Sequence, residues 1–231
     1  MDFLNVESKE LAKVRGHENL KICSVSSSAR LCFLYLWNKE GVEFESHLLN
    51  PTGGGNAAQP DAKIGNTYYE FKCQEIVDGE GEPLKYSYGP LLQEFFGIKI
   101  IKINEYERTI TGYLPELGID YKEDYDKTHF NVKQLFTHLI AIAKKHPKED
   151  DLVKLQYVFF EPDAKKQSTD TAVVYEELKA EIKAIWNSES LRFFKGKNRN
   201  IGLPDPIFVP VSERCFAQNP ADILDCLKKR K

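Results

Sequence analysis

The sequence predicts an α/β fold with a central mixed β-sheet flanked by helices, and three observations point there. First, the residues on either side of Gly65-Asn66 alternate polar and apolar, and that pair suits a two-residue turn, so the stretch reads as a β-hairpin. Second, Asn131 to Lys145 carries Val132, Leu135, Phe136, Leu139 and Ile140 at helical spacing. Third, Leu152 to Phe160 follows as the strongest buried-strand signal in the chain, in the order expected of a helical crossover within a sheet. The chain has 231 residues, 42% of them hydrophobic, enough to bury one sizeable core, and a single domain over residues 1–231 is expected.

The elements follow in order. A helix is predicted over about Glu7 to Arg15. A second is capped by Ser26, Ser27 or Ser28, turns Leu31, Cys32, Leu34, Tyr35 and Leu36 to a sheet, and stops by Gly41. Val42 to Leu48 alternates as a strand, with Val42 and Phe44 on one face and Glu43 and Glu45 on the other. Pro51 to Asn56 holds three consecutive glycines, but no Lys-Ser/Thr and no helix follow, so it reads as a connecting loop rather than a phosphate cradle. The hairpin comes next. Residues 77–128 form an insertion before the next core helix, with a Gly-rich turn (Asp78 to Gly81), an apolar segment (Leu91 to Ile103) and an acidic stretch (Glu116, Asp120, Glu123, Asp124, Asp126). That acidity suits a partner surface or a face turned away from phosphate. Beyond the strand at 152–160, a helix is predicted over Ala172 to Asn187 and a short one over Ala221 to Leu227. There is no internal repeat, low-complexity tract or dividing linker.

The chemistry concentrates on the hairpin. With Gly65-Asn66 at the turn, Ile64 faces Thr67, Lys63 faces Tyr68, Ala62 faces Tyr69, and Asp61 falls opposite Glu70. Cross-strand partners have Cβ atoms roughly 4.5–5.5 Å apart, so the two carboxylates share one face, with Lys72 about 7 Å further along it. Ala62, Ile64, Tyr69, Phe71 and Cys73 make up the other, core-facing side. Two carboxylates this close repel unless a cation lies between them, and magnesium is the natural hard divalent occupant. Such an ion polarises a phosphate oxygen and lowers the pKa of a bound water, and Lys72 is placed to orient that water or to stabilise transition-state charge. The alternative is a solvated hairpin face with one ordinary salt bridge.

Pro60-Asp61, eight intervening residues and then Glu70-Phe71-Lys72 resembles the signature of the PD-(D/E)XK nuclease superfamily. The order of elements from about Ser24 to Glu161 resembles it too: a helix, three strands carrying the motif, a second helix and a further strand. The resemblance implies a restriction-endonuclease-like fold and metal-dependent hydrolysis of DNA, with Asp61 and Glu70 binding magnesium (manganese as a substitute) and Lys72 assisting the attacking water. It also implies coordination by the backbone carbonyl of Phe71. Superfamily members often carry a further acidic residue on the first helix or strand. The stretch Ser26 to Trp37 offers none, so Glu45 is the expected third ligand, with Glu43 and Glu18 behind it. Gln74 shares the Glu70 and Lys72 face and is placed to hold a water or phosphate. Gln134 and His138 lie one turn apart on their helix. With no neighbouring glutamate they make no zinc-protease motif, and His138 reads as structural.

The remaining features bound the reading. A formal net charge of −3 is not that of a protein that coats nucleic acid, so DNA contact must be local. The candidate is Arg192 to Arg199, read as a loop in which Lys195, Lys197 and Arg199 track phosphates; the other reading is a solvated loop anchored by Phe193 and Phe194. The basic tail, Lys228 to Lys231, reads as a disordered end. No apolar run approaches the ~18–20 residues of a membrane span and the N-terminus lacks a signal pattern, so a cytoplasmic protein is expected. Cys23, Cys32, Cys73, Cys215 and Cys226 form no Cys-x-x-Cys pair and read as reduced packing residues. Cutting both DNA strands asks for two sites, which makes a homodimer a natural partner state. The rival reading is a nuclease-fold module that binds DNA or an assembly without cutting.

Overall fold

A computed structural model describes residues 28, 32, 35–36, 39–53, 58–73, 84–99, 102–104, 108–111, 128–147, 152–162 and 169–211. The helices expected at 7–15 and 221–227, Glu18, Gln74 and the acidic stretch at 116–126 lie outside these residues.

The principal sheet has six strands and is mixed, as expected. Strands β1 (Val42–Phe44), β2 (Ala62–Ile64) and β3 (Thr67–Lys72) are antiparallel neighbours, and β3 pairs in parallel with β7 (Val153–Pro162). The far edge of β7 pairs in parallel with β8 (Ile201–Gly202) at its start and with β9 (Ile207–Val211) at its end. Between β3 and β7 the chain forms helix α2 (Val132–Lys145), and between β7 and β8 it forms α3 (Thr169–Trp186) and α4 (Glu189–Lys197). Parallel neighbours need such crossovers.

Both faces of the sheet are covered. Tyr68 on β3, and Leu155, Tyr157 and Phe159 on β7, pack into a large core with Leu135, Phe136 and Leu139 of α2 and Leu178, Ile182 and Ile185 of α3. The opposite face carries Ala62, Phe71, Cys73, Val158 and Phe160, packed with Cys32 and Leu36 of the helix that precedes β1. The expected apolar side of the hairpin therefore faces this second core. Cys32 and Cys73 are buried within it.

The insertion has its own structure. It forms a three-stranded antiparallel sheet of β4 (Leu84–Lys85), β6 (Thr109–Thr111) and β5 (Lys102–Asn104), together with helix α1 (Gly89–Phe96). Phe96 of α1 stacks between Phe136 of α2 at 4.2 Å and Phe194 of α4 at 5.1 Å. The insertion is thus built into the main core.

Two expectations need correction. The strand predicted over Val42 to Leu48 ends at Phe44: Glu45 takes a φ of 50° and bends the chain, after which pairing continues only as single bonds and an isolated bridge, Leu48 with Ala58. The loop predicted over Arg192 to Arg199 is helix α4 as far as Lys197; Ser188 caps it by accepting from Leu191 N, and Leu191 and Phe194 are buried. Among the described residues no helix is long and apolar enough to cross a membrane.

Candidate active site

The hairpin forms in the expected register, Ile64 with Thr67, Lys63 with Tyr68 and Ala62 with Tyr69. Gly65 supplies the positive φ (53°) that the tight turn requires. One residue beyond β2, Asp61 occupies the register position facing Glu70. Its Oδ2 accepts the Phe71 N–H at 2.7 Å, so the carboxylate takes up a backbone donor where the strand bends away. Asp61 is half-buried. On its other side, the Glu45 N–H donates to the Asp61 carbonyl at 2.8 Å. Glu45, just past the end of β1, and Asp61, just outside β2, are therefore paired at the level of Glu70 on β3.

Glu70 and Lys72 are buried, 2% and 8% exposed, which rules out a solvated hairpin face. Parallel pairing sets Glu70 beside Tyr157 and Lys72 beside Phe159, and α2 covers them. Lys72 Nζ lies 3.5 Å from Glu70 Oε1, and Gln134 Nε2 donates to the same oxygen at 2.6 Å. His138, one turn further along α2, brings Nδ1 to 3.6 Å from Glu70 Oε2. Burial, reinforced by the Lys72 ammonium, pushes the His138 pKa down to about 3. The imidazole is therefore neutral at physiological pH and meets Glu70 as a dipole; Lys72 supplies the compensating charge. Gln134 Oε1 and His138 Nδ1 are buried and have no hydrogen-bond partner.

α2 is held in register by its own start. Asn131 caps it by accepting from Gln134 N at 2.9 Å. Just before the cap, Glu181 of α3 accepts the His129 and Phe130 N–H groups at 3.0 Å each through Oε2. Burial raises the Glu181 pKa, a shift these bonds partly oppose.

Asp61, Glu70 and Lys72 are thus brought together, and Gln134 and His138 join them. The signal for those two was present in the sequence as two polar residues four apart on an apolar helix face. What the sequence did not show is that this face crosses β3. Glu45 is adjacent to Asp61 through the backbone, but among the described residues no three His, Cys, Asp or Glu side chains converge as a ready metal cluster. The donors nevertheless suit a hard divalent ion: two carboxylates at facing positions, with the orphaned Gln134 Oε1 beside them. Lys195, Lys197 and Arg199 stand apart. Asn200 pairs with Val153 at the start of β7, six residues or roughly 20 Å from the level of Lys72. Lys197 Nζ donates to the Glu94 carbonyl at the end of α1.

No family model matches the chain, and no curated protein or solved structure is significantly similar to it.

Proposed function

We propose that this protein is a metal-dependent nuclease that hydrolyses DNA phosphodiester bonds, with a restriction-endonuclease-like fold of the PD-(D/E)XK kind. The observation that carries the reading is the buried Glu70–Lys72 pair, with Asp61 at the facing position of a hairpin in the register the motif requires. The order of elements supports it: a helix, β1 to β3, α2 and then β7. Burying a carboxylate and an ammonium on one strand costs more than a surface pair returns, which favours a role beyond stability.

Asp61 and Glu70 would hold the ion, with Glu45 the nearest further carboxylate. When bound there, magnesium or manganese would supply Lewis-acid polarisation of a phosphate oxygen and a water of lowered pKa. Lys72, 3.5 Å from Glu70, balances the site's negative charge and is placed to orient the attacking water. Gln134 fixes the rotamer of the Glu70 carboxylate. With a pKa of about 3, His138 is too weak to act as a general base at neutral pH and serves as a neutral wall.

The test is cleavage of supercoiled plasmid with magnesium or manganese by the wild type, Asp61→Asn and Lys72→Ala, each checked for fold by circular dichroism. Metal-dependent nicking that both variants lose is the expected result. Full cleavage by Asp61→Asn places the centre elsewhere. An intact plasmid with either metal rejects the enzyme and favours the non-cutting binding module, a reading that has its own support. Asp61 and Glu70 already accept bonds from Phe71, Gln134 and Lys72, as a purely structural cluster would.

A further inference from the structure

A second group of polar side chains lies on the same sheet face, one level nearer the hairpin turn. The buried Tyr68 ring has an ammonium on it from each of two elements: Lys63 Nζ at 5.4 Å, from the facing position on β2, and Lys145 Nζ at 5.7 Å, from the last turn of α2. The Tyr68 hydroxyl lies 3.1 Å from His146 Nε2, which fixes the ring against the end of the helix. Burial raises the Tyr68 pKa, so the ring stays neutral between the two charges. Among the described residues neither ammonium has a carboxylate within salt-bridge distance, although Glu43 faces Lys63 across β1 and β2. The neighbouring Lys144 is spent on the Pro51 carbonyl at 2.6 Å. Lys63 and Lys145 thus each rest an ammonium on the ring without a carboxylate partner among the described residues, and an anion beside it would supply the missing counter-charge.

Position identifies the anion. Lys63 and Asp61 are two residues apart on the same face of one strand, about 7 Å. Neighbouring phosphates of one DNA strand are separated by a comparable distance, because the backbone winds around the axis as it rises, so a backbone whose reacting phosphate sits at Asp61 and Glu70 brings the adjacent phosphate over Lys63.

We propose that Lys63 and Lys145 bind backbone phosphates of duplex DNA beside the reacting one. The proposal rests on the nuclease reading for its substrate and adds the contact that sets the strand's position. It assigns DNA contact to β2 and the end of α2, not to α4.

The test is fluorescence anisotropy of a short labelled duplex in EDTA, where cleavage cannot intervene, over about 50–200 mM salt. The proteins are the wild type, Lys63→Ala/Lys145→Ala and Lys63→Arg/Lys145→Arg, each matched for thermal stability. For two lost phosphate contacts the alanine pair should bind on the order of tenfold weaker near 0.1 M salt, with a log–log salt slope shallower by about 2; the arginine pair should keep both. Equal affinity and slope for the alanine pair overturn the proposal and leave the nuclease reading to the plasmid assay. No binding by the wild type overturns it as well. Binding that depends on both lysines in a protein that cuts no plasmid upholds the contact and rejects the enzyme.

Discussion

Glu70, which is buried, and Glu181, which is half-buried, are handled in opposite ways. Glu70 has an ammonium at 3.5 Å and an amide at 2.6 Å, so its charge is compensated where it sits. Glu181 has the backbone N–H groups of His129 and Phe130, with the His129 ring turned to Glu177, and burial leaves its pKa raised above the ordinary 4.5. A raised carboxyl pKa means that the folded protein holds the proton more tightly than the unfolded chain. The resulting stabilisation is complete below about 4.5 and is lost as pH rises through the folded value. Glu181→Gln keeps an oxygen to accept the two N–H groups and removes the ionisation. Urea denaturation from pH 4 to neutrality should therefore show a smaller loss of stability with rising pH in Glu181→Gln than in the wild type. Parallel pH profiles for the two proteins would mean that this carboxylate is well solvated.

At the scale of elements, α2 sets the site, because one helix face carries Gln134 and His138 over Glu70 and its end carries Lys145 over Tyr68. Its cap is a single side-chain bond from Asn131, and Asn131→Ala should lower the unfolding free energy by about 1 kcal/mol, read from the urea midpoint at unchanged slope. An unchanged midpoint would show that Glu181 alone holds the helix start. Much of this level was legible in the sequence. The glycine-asparagine turn fixed the hairpin register, and a stripe of apolar residues marked α2. Burial of the Glu70 face was not legible, because Glu70 and Lys72 keep the polar alternation that ordinarily marks a solvated face, and only the helix laid across β3 removes them from water. The α4 segment was misread because aromatic, basic and glycine residues together look like a loop. The cap at Ser188 and the three-residue spacing of Leu191 and Phe194 were the better signals. The bend at Glu45 left no mark, since a positive φ at a glutamate is imposed by its surroundings.

For the whole molecule, the question is whether residues 77–128 are an appendage or part of one cooperative unit. An appendage would pack through a small contact and unfold by itself. Here Phe96 is 2% exposed and sandwiched between rings from α2 and α4, while Leu92 and Phe95 join the same core as Tyr157 and Leu178. The insertion therefore fills volume that the sheet and its crossover helices leave open, and close-packed interiors do not give up such volume cheaply. Phe96→Ala should cost about 3–5 kcal/mol of global stability, as loss of a buried ring does elsewhere. The loss should appear as a lower urea midpoint of a single transition, coincident by tryptophan fluorescence and far-ultraviolet circular dichroism. Because Phe136 lies on the same helix as Gln134 and His138, the damage should also weaken the metal-dependent cleavage proposed above. Two separate transitions in the wild type, or a Phe96→Ala cost below about 1 kcal/mol, would make the insertion an independent unit and uncouple it from the site.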